Sequence, residues 1–184
     1  MKIAGAWSGH DCSYCILEDG KPVVHDEYER FIREKEPAGD SIDFMMKNYT
    51  EFEQIKYLAT PVPFSKMSRY SDSFEKITKI ISNNGGEVYK VGHHQCHAAN
   101  AFFSSNLEDA TILTVDGGGV ELNNMTTACT IWTGSKNKIT NLAVFPLNTI
   151  NFGGVWTRVT RYVFGLQSGW PRGHQAGSVM AMAA

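Results

Sequence analysis

The chain has 184 residues, 42% of them hydrophobic and 20% charged, with a formal net charge of -2 and a pI near 6.3. That composition suits one well-packed domain or two small ones and excludes a disordered chain. Lys and Arg are scattered, and the one local group, Arg30, Arg33 and Lys35, is interleaved with glutamates, so no nucleic-acid surface is expected. No apolar run approaches the roughly 20 residues of a membrane helix, and a cytoplasmic location is the default expectation.

Residues 2–7 read as a first strand, followed by a turn at Ser8-Gly9-His10-Asp11. Residues 12–17 form a second strand, the turn 18–21 closes a hairpin, and 22–26 returns as a third, so three antiparallel strands open the fold. The charged segment 27–36 leaves the sheet, and 41–49 has the spacing of a short helix with Ile42, Met45 and Met46 inward. A short strand over 56–59 is broken by Pro61 and Pro63, and 64–70 is an irregular connection. A firmer helix follows, with Asp72 as N-cap, Glu75 three residues on, Phe74, Ile77, Ile80 and Ile81 at helical spacing, and Gly85-Gly86 as the stop.

Residues 87–91 are the next strand, 94–103 a helix with small residues for close packing, and 111–115 a buried strand ending at Asp116. Beyond a glycine turn come strand 126–133, a turn at Gly134-Ser135, strand 138–145 and a helix near 155–164. The second half thus echoes the first in structure, with a boundary near 108 between a lobe 1–108 and the beginning of another, 109–184. The tail 169–184 is glycine-rich and then apolar, which reads as a truncated piece of a longer protein.

Three groups carry chemistry. His93 and His97, at i and i+4, fall on one helix face and could grip one metal ion, with Asp116 as a third ligand. His94 offers a second register, His94-x-x-His97. Two imidazoles and a carboxylate suit iron or zinc better than magnesium. Gly117-Gly118-Gly119 after a strand could turn backbone N–H groups around a phosphate while the Asp116 carboxylate holds a cation. His10 stands in the first strand turn and reads either as a site residue or as a turn histidine in solvent, Asp11, Ser13 and Glu29 are open in the same way, and His25 and His174 read as surface or structural. Trp7, Trp132, Trp156 and Trp170 read as core or interface residues. Cys12-x-x-Cys15 lies in a strand pattern that points its members to opposite faces, and with Cys96 and Cys129 it is expected to supply buried or free thiols.

Four segments in order resemble the N-terminal part of the O-carbamoyltransferase family that decorates nodulation factors and antibiotics. They are Gly9-His10-Asp11, Glu29-Arg30-Phe31-Ile32-Arg33, the run His93 to Phe102 as HH-x-x-HA-x-x-AF, and Leu113 to Glu121 with one extra residue before the glutamate. The resemblance implies an α/β fold of the actin-like, ribonuclease H-like ATPase class, with mixed sheets, one complete lobe and the start of a second. It implies His93, His97 and Asp116 as ligands of Fe or Zn, Gly117, Gly118 and Gly119 facing the phosphates of ATP with Mg, Glu121 beside them, and His10 near the carbamoyl group. The implied reaction moves a carbamoyl group from carbamoyl phosphate, by way of a carbamoyl-adenylate, to a hydroxyl-bearing small-molecule acceptor. The match spans about the first third of the family's usual length, so this chain alone should be an incomplete catalyst that works as a homo-oligomer or with a separate second-lobe chain. Near the end, Ala176 to Ala183 lacks the Glu and Lys of the family's pattern. Two other readings are a tRNA threonylcarbamoyl-transfer protein and a non-catalytic actin-like assembly module.

Overall fold

The computed structural model describes residues 1–35, 37–61, 71–166 and 175–184. Contacts divide the chain into two units, Met1–Val91 and Gly92–Ala184.

The first unit is built on β1 (Lys2–Trp7), β2 (Ser13–Glu18) and β3 (Lys21–Glu27), an antiparallel meander in which Ala4 pairs with Ile16 and Tyr14 with Asp26. A short helix α1 (Tyr28–Ile32) leaves the sheet where the charged segment begins. There Arg30 meets Glu27 and Glu29, and Lys35 meets Glu29, so these cations are spent on neighbouring carboxylates. Helix α2 (Ser41–Asn48) is capped by Asp40, whose Oδ1 accepts the N–H groups of Ile42 and Asp43 at 3.0 and 3.1 Å. It buries Ile42, Phe44 and Met45, with Met46 packed alongside.

Strand β4 (Ile55–Pro61) pairs parallel with β1, and after α3 (Ser71–Asn83) strand β5 (Glu87–Val91) pairs parallel with β4. The sheet order is β3-β2-β1-β4-β5. The expected irregular connection 64–70 lies outside the described residues. Asp72 falls within the first turn of α3 instead of capping it, where its carboxylate still faces the positive end of the helix dipole. The stop at Gly85-Gly86 is as read, with the Gly86 N–H bonded to the Ile81 carbonyl at 2.9 Å. Ile77 and Ile81 of α3 join Tyr14, Ile16, Ile42, Met45, Ile55 and Leu58 in one apolar core.

The second unit opens with α4 (His93–Phe103) and continues as the antiparallel meander β6 (Asp109–Val120), β7 (Thr126–Ser135) and β8 (Lys138–Pro146). The sequence placed a boundary near 108, but α4 packs on β6, so the division by contacts falls before it. Residues 111–115 are not buried throughout: Ile112 and Thr114 face the interior, while Leu113 is 62% and Val115 46% exposed. A strand packed on one face alternates in this way. The strand also runs through the glycines to Val120, and the turn comes later, at 121–125. Likewise β7 reaches Ser135, so the next turn centres on Lys136 and Asn137. Helix α5 (Gly153–Arg158) passes into a π turn over Val159–Val163, and α6 (Ala176–Ala183) follows. Among the described residues no helix is long and apolar enough to cross a membrane.

Candidate metal centre

The site begins with a defect in β6. Val115 pairs with Cys129 and Gly119 with Thr127, so Asp116, Gly117 and Gly118 together stand opposite Ala128. A bulge of this kind bends the strand and re-aims its side chains. The glycines are needed here for space. A Cβ on Gly119 would lie 2.1 Å from Cδ2 of His93, and Gly118 has φ +145°, which side-chain-bearing residues rarely adopt. The bulge is braced from behind by residues that no sequence signal marked: Asn151 Nδ2 donates to the Gly117 carbonyl at 3.4 Å, and Gly153 packs against the backbone of Asp116 and Gly117.

Above the bulge lies the start of α4. Its two imidazoles, one turn apart, have ring centroids 4.7 Å apart and planes inclined by 72°. His93 Nε2 is 2.7 Å from Asp116 Oδ2, His97 Nε2 is 3.7 Å from the same oxygen, and the two Nε2 atoms are 3.0 Å apart. His93 is 18%, Asp116 35% and His97 54% exposed, so the triangle opens to solvent on the His97 side. Burial opposes the charge on Asp116, yet hydrogen bonds from His93, His97 and the Gly117 N–H outweigh it and hold this carboxyl well below the usual carboxylate range.

These donors fit a metal ion. Ligand bonds of about 2.0–2.2 Å place neighbouring ligand atoms of a tetrahedral site about 3.3–3.6 Å apart, and the three separations of 2.7, 3.0 and 3.7 Å straddle that range. One ligand atom each from His93, His97 and Asp116 lies within 4.8 Å of the other two, and both Nε2 atoms turn toward one carboxylate oxygen. The alternative register through His94 is closed, because that ring is fully buried with both nitrogens engaged, Nδ1 with Thr114 Oγ1 at 2.6 Å and Nε2 with the Thr127 carbonyl at 2.9 Å.

Glu121, read from sequence as a nucleotide-site residue, lies at the helix start. Its Oε1 accepts the His94 N–H at 3.0 Å, and its Oε2 fills the space where a side chain on Gly92 would stand. It therefore ties the turn after β6 to the N-terminus of α4 and fixes the helix that carries both imidazoles. His10 is in the first unit, in the turn between β1 and β2. Its Nδ1 is 2.6 Å from Asp11 Oδ2, its carbonyl accepts the Trp7 indole N–H at 2.6 Å, and the side chain is exposed. The four cysteines are free thiols, of which Cys12 and Cys129 are buried. Burial, with Asp40 nearby, pushes the Cys12 thiol up to about 12. His174 and Trp170 lie outside the described residues.

No protein-family model matches the sequence, and no curated protein matches it. Solved structures do. HypF of T. kodakarensis superposes with a TM-score of 0.55 at 14% identity, covering 78% of this chain and 18% of that one. Full-length HypF in its phosphate- and nucleotide-bound form gives 0.51 at 10% identity, with 77% and 21% covered. YeaZ from Pseudomonas aeruginosa is a fainter likeness, 0.45 at 10% identity over 79% of this chain and 67% of that one. The chain spans about a fifth of the length of either HypF structure. The fold is α/β, and the order β3-β2-β1-β4-β5, antiparallel through β1 and parallel beyond it, is that of the actin-like, ribonuclease H-like class expected from the sequence.

Proposed function

We propose that the chain is a metal- and nucleotide-binding part of an ATP-dependent O-carbamoyltransferase of the nodulation-factor and antibiotic type. The observation that carries this reading is the convergence of His93 Nε2, His97 Nε2 and Asp116 Oδ2 on a glycine bulge, within a fold shared with HypF. HypF has been solved with phosphate and nucleotide bound, which supports a nucleotide role for the same fold here. In this reading His93, His97 and Asp116 hold iron or zinc. When bound, the metal supplies a Lewis acid that polarises a phosphoryl or carbonyl oxygen.

The chain's own residues divide the remaining work. Gly117, Gly118 and Gly119 offer backbone to the phosphates of ATP with Mg, Glu121 holds the helix bearing the imidazoles, and His10, its ring oriented by Asp11, meets the carbamoyl group. Carbamoyl phosphate and a hydroxyl-bearing small molecule are the substrates.

The test is metal content and ATP titration of the protein beside a His93→Ala, His97→Ala double variant. Iron or zinc is expected in the parent and not in the variant, and equal content in both would overturn the site. ATP binding by the parent is expected. Its absence, even with a second-lobe chain supplied, would favour a non-catalytic assembly module. Transfer of a threonylcarbamoyl group, with none of carbamoyl, would move the protein to tRNA modification.

A further inference from the structure

Beneath the imidazole pair lies a run of buried polar groups that the metal reading does not use. His94, Thr114, Thr127 and Thr130 are each 5% exposed or less, and Trp132 closes the run at 9%. The contacts are His94 Nε2 to the Thr127 carbonyl at 2.9 Å, His94 Nδ1 to Thr114 Oγ1 at 2.6 Å, Thr114 Oγ1 to Thr130 Oγ1 at 2.6 Å, and Trp132 Nε1 to Thr130 Oγ1 at 2.5 Å.

Two ends of this chain have a fixed direction. A carbonyl oxygen only accepts, so His94 Nε2 carries a proton and donates to Thr127. An indole N–H only donates, so Thr130 Oγ1 is an acceptor for Trp132. The middle follows from the two ends. With Nε2 protonated in the neutral ring, Nδ1 is an acceptor, Thr114 donates to it, and Thr130 donates to Thr114. Every proton then has one acceptor. The opposite tautomer would set a nitrogen lone pair against the Thr127 carbonyl. A doubly protonated ring would leave the Thr130 hydroxyl proton without an acceptor among the described residues.

We infer that His94 is a positioning residue: its neutral Nε2–H tautomer, held by the Thr114–Thr130–Trp132 chain, fixes the rotation of α4 about its axis and so aims His93 and His97 at Asp116. The geometry is independent of any metal, and only the consequence for metal affinity rests on the function proposed above. His94 follows one ligand directly and precedes the other by three residues, so a change in how its ring is held turns both. Each imidazole is thereby set from a buried network attached to β6 and β7, the strands that form the bulge.

The direct test is two-bond 15N–1H correlation on the metal-free protein with 15N-labelled histidine. The His94 ring is expected to show one protonated nitrogen, Nε2. A protonated Nδ1, alone or with Nε2, would overturn the inference. Thr114→Val removes the donor to Nδ1 and is expected to shift the ring resonances of His93 and His97, while Thr114→Ser keeps them near the parent's. Rings unmoved by Thr114→Val would overturn the positioning role whether or not a metal binds. Cobalt(II), titrated alone, adds the consequence. Thr114→Val is expected to weaken its binding by about tenfold and alter its visible spectrum, with Thr114→Ser restoring both. Unchanged affinity and spectrum in Thr114→Val would overturn positioning. If the parent takes no cobalt, the metal-site reading fails and the ring resonances alone decide the inference.

Discussion

Both units contain a three-stranded antiparallel meander, β1 to β3 in the first and β6 to β8 in the second, yet they are held by different chemistry. The first surrounds its sheet with Tyr14, Ile16, Ile42, Met45, Ile55, Leu58, Ile77 and Ile81, an apolar core whose stabilisation follows the area withdrawn from water. The second has a small cluster, Ala98, Phe102, Ile112 and Trp132, beside a layer of His94 and three threonines. An apolar core tolerates rearrangement as long as its volume is filled, whereas a polar layer demands particular partners in particular directions. The contrast teaches that the unit bearing the candidate site gives up apolar area for a layer that fixes orientation.

The comparison can be broken most forcefully in the first unit. Leu58→Ala should destabilise the fold by about 2–5 kcal/mol, read from the urea midpoint, while leaving the cobalt spectrum of the second unit unchanged. Gly119→Ala should instead change both readouts. The added methyl meets the His93 ring, so stability should fall by about 1–3 kcal/mol, and cobalt affinity should drop along with it. A Gly119→Ala protein that binds cobalt like the parent would remove the bulge from the account.

Smaller effects sharpen the contrast. Burial, and then its hydrogen bond to Asp26, raise the Tyr14 phenol above the usual tyrosine range. Its folded form therefore keeps a proton that the unfolded chain loses above about pH 10. Stability from this group is whole below that pH and declines as pH rises above it. Tyr14→Phe should cost about 1.5 kcal/mol at neutral pH and flatten the alkaline decline measured by chemical unfolding. Asp40→Ala removes the cap of α2 and should cost about 1 kcal/mol, read the same way. The least effect on stability is expected at Cys96. Burial, helped by the Glu121 carboxylate, pushes its thiol up to about 11, so alkylation should be slow at neutral pH and rise toward that value. Rapid labelling at pH 7 would mean that the Cys96 thiol is not shielded from water as described.

Much of this was legible beforehand where a period or a punctuating residue carries the signal. Alternation marked β1 to β3, the 3.6-residue spacing of Ile77 and Ile81 marked α3, and His93 with His97 announced a shared helix face. Other features had no local signature. Asp40 caps α2 without the capping-box signature, since Asp43 stands three residues on where a Glu or Gln would mark the helix start. The glycines read as a turn because Asp-Gly-Gly is also how hairpins close, and nothing in the letters says that a strand continues through them. Thr114, Thr127 and Thr130 look like ordinary strand residues until the pairing of β6 with β7 brings them together.

The sequence by itself determined the order of elements, the two meanders and the pairing of His93 with His97, since each depends on neighbours within a few positions along the chain. Tertiary structure decided which residues serve which others. It drew Asp116 up to the imidazoles across a bulge, set Glu121 at the start of α4, and turned His94 inward onto two threonines and a backbone carbonyl. Those outcomes depend on register and on the space left by an absent Cβ, quantities that exist only once separated segments are packed together.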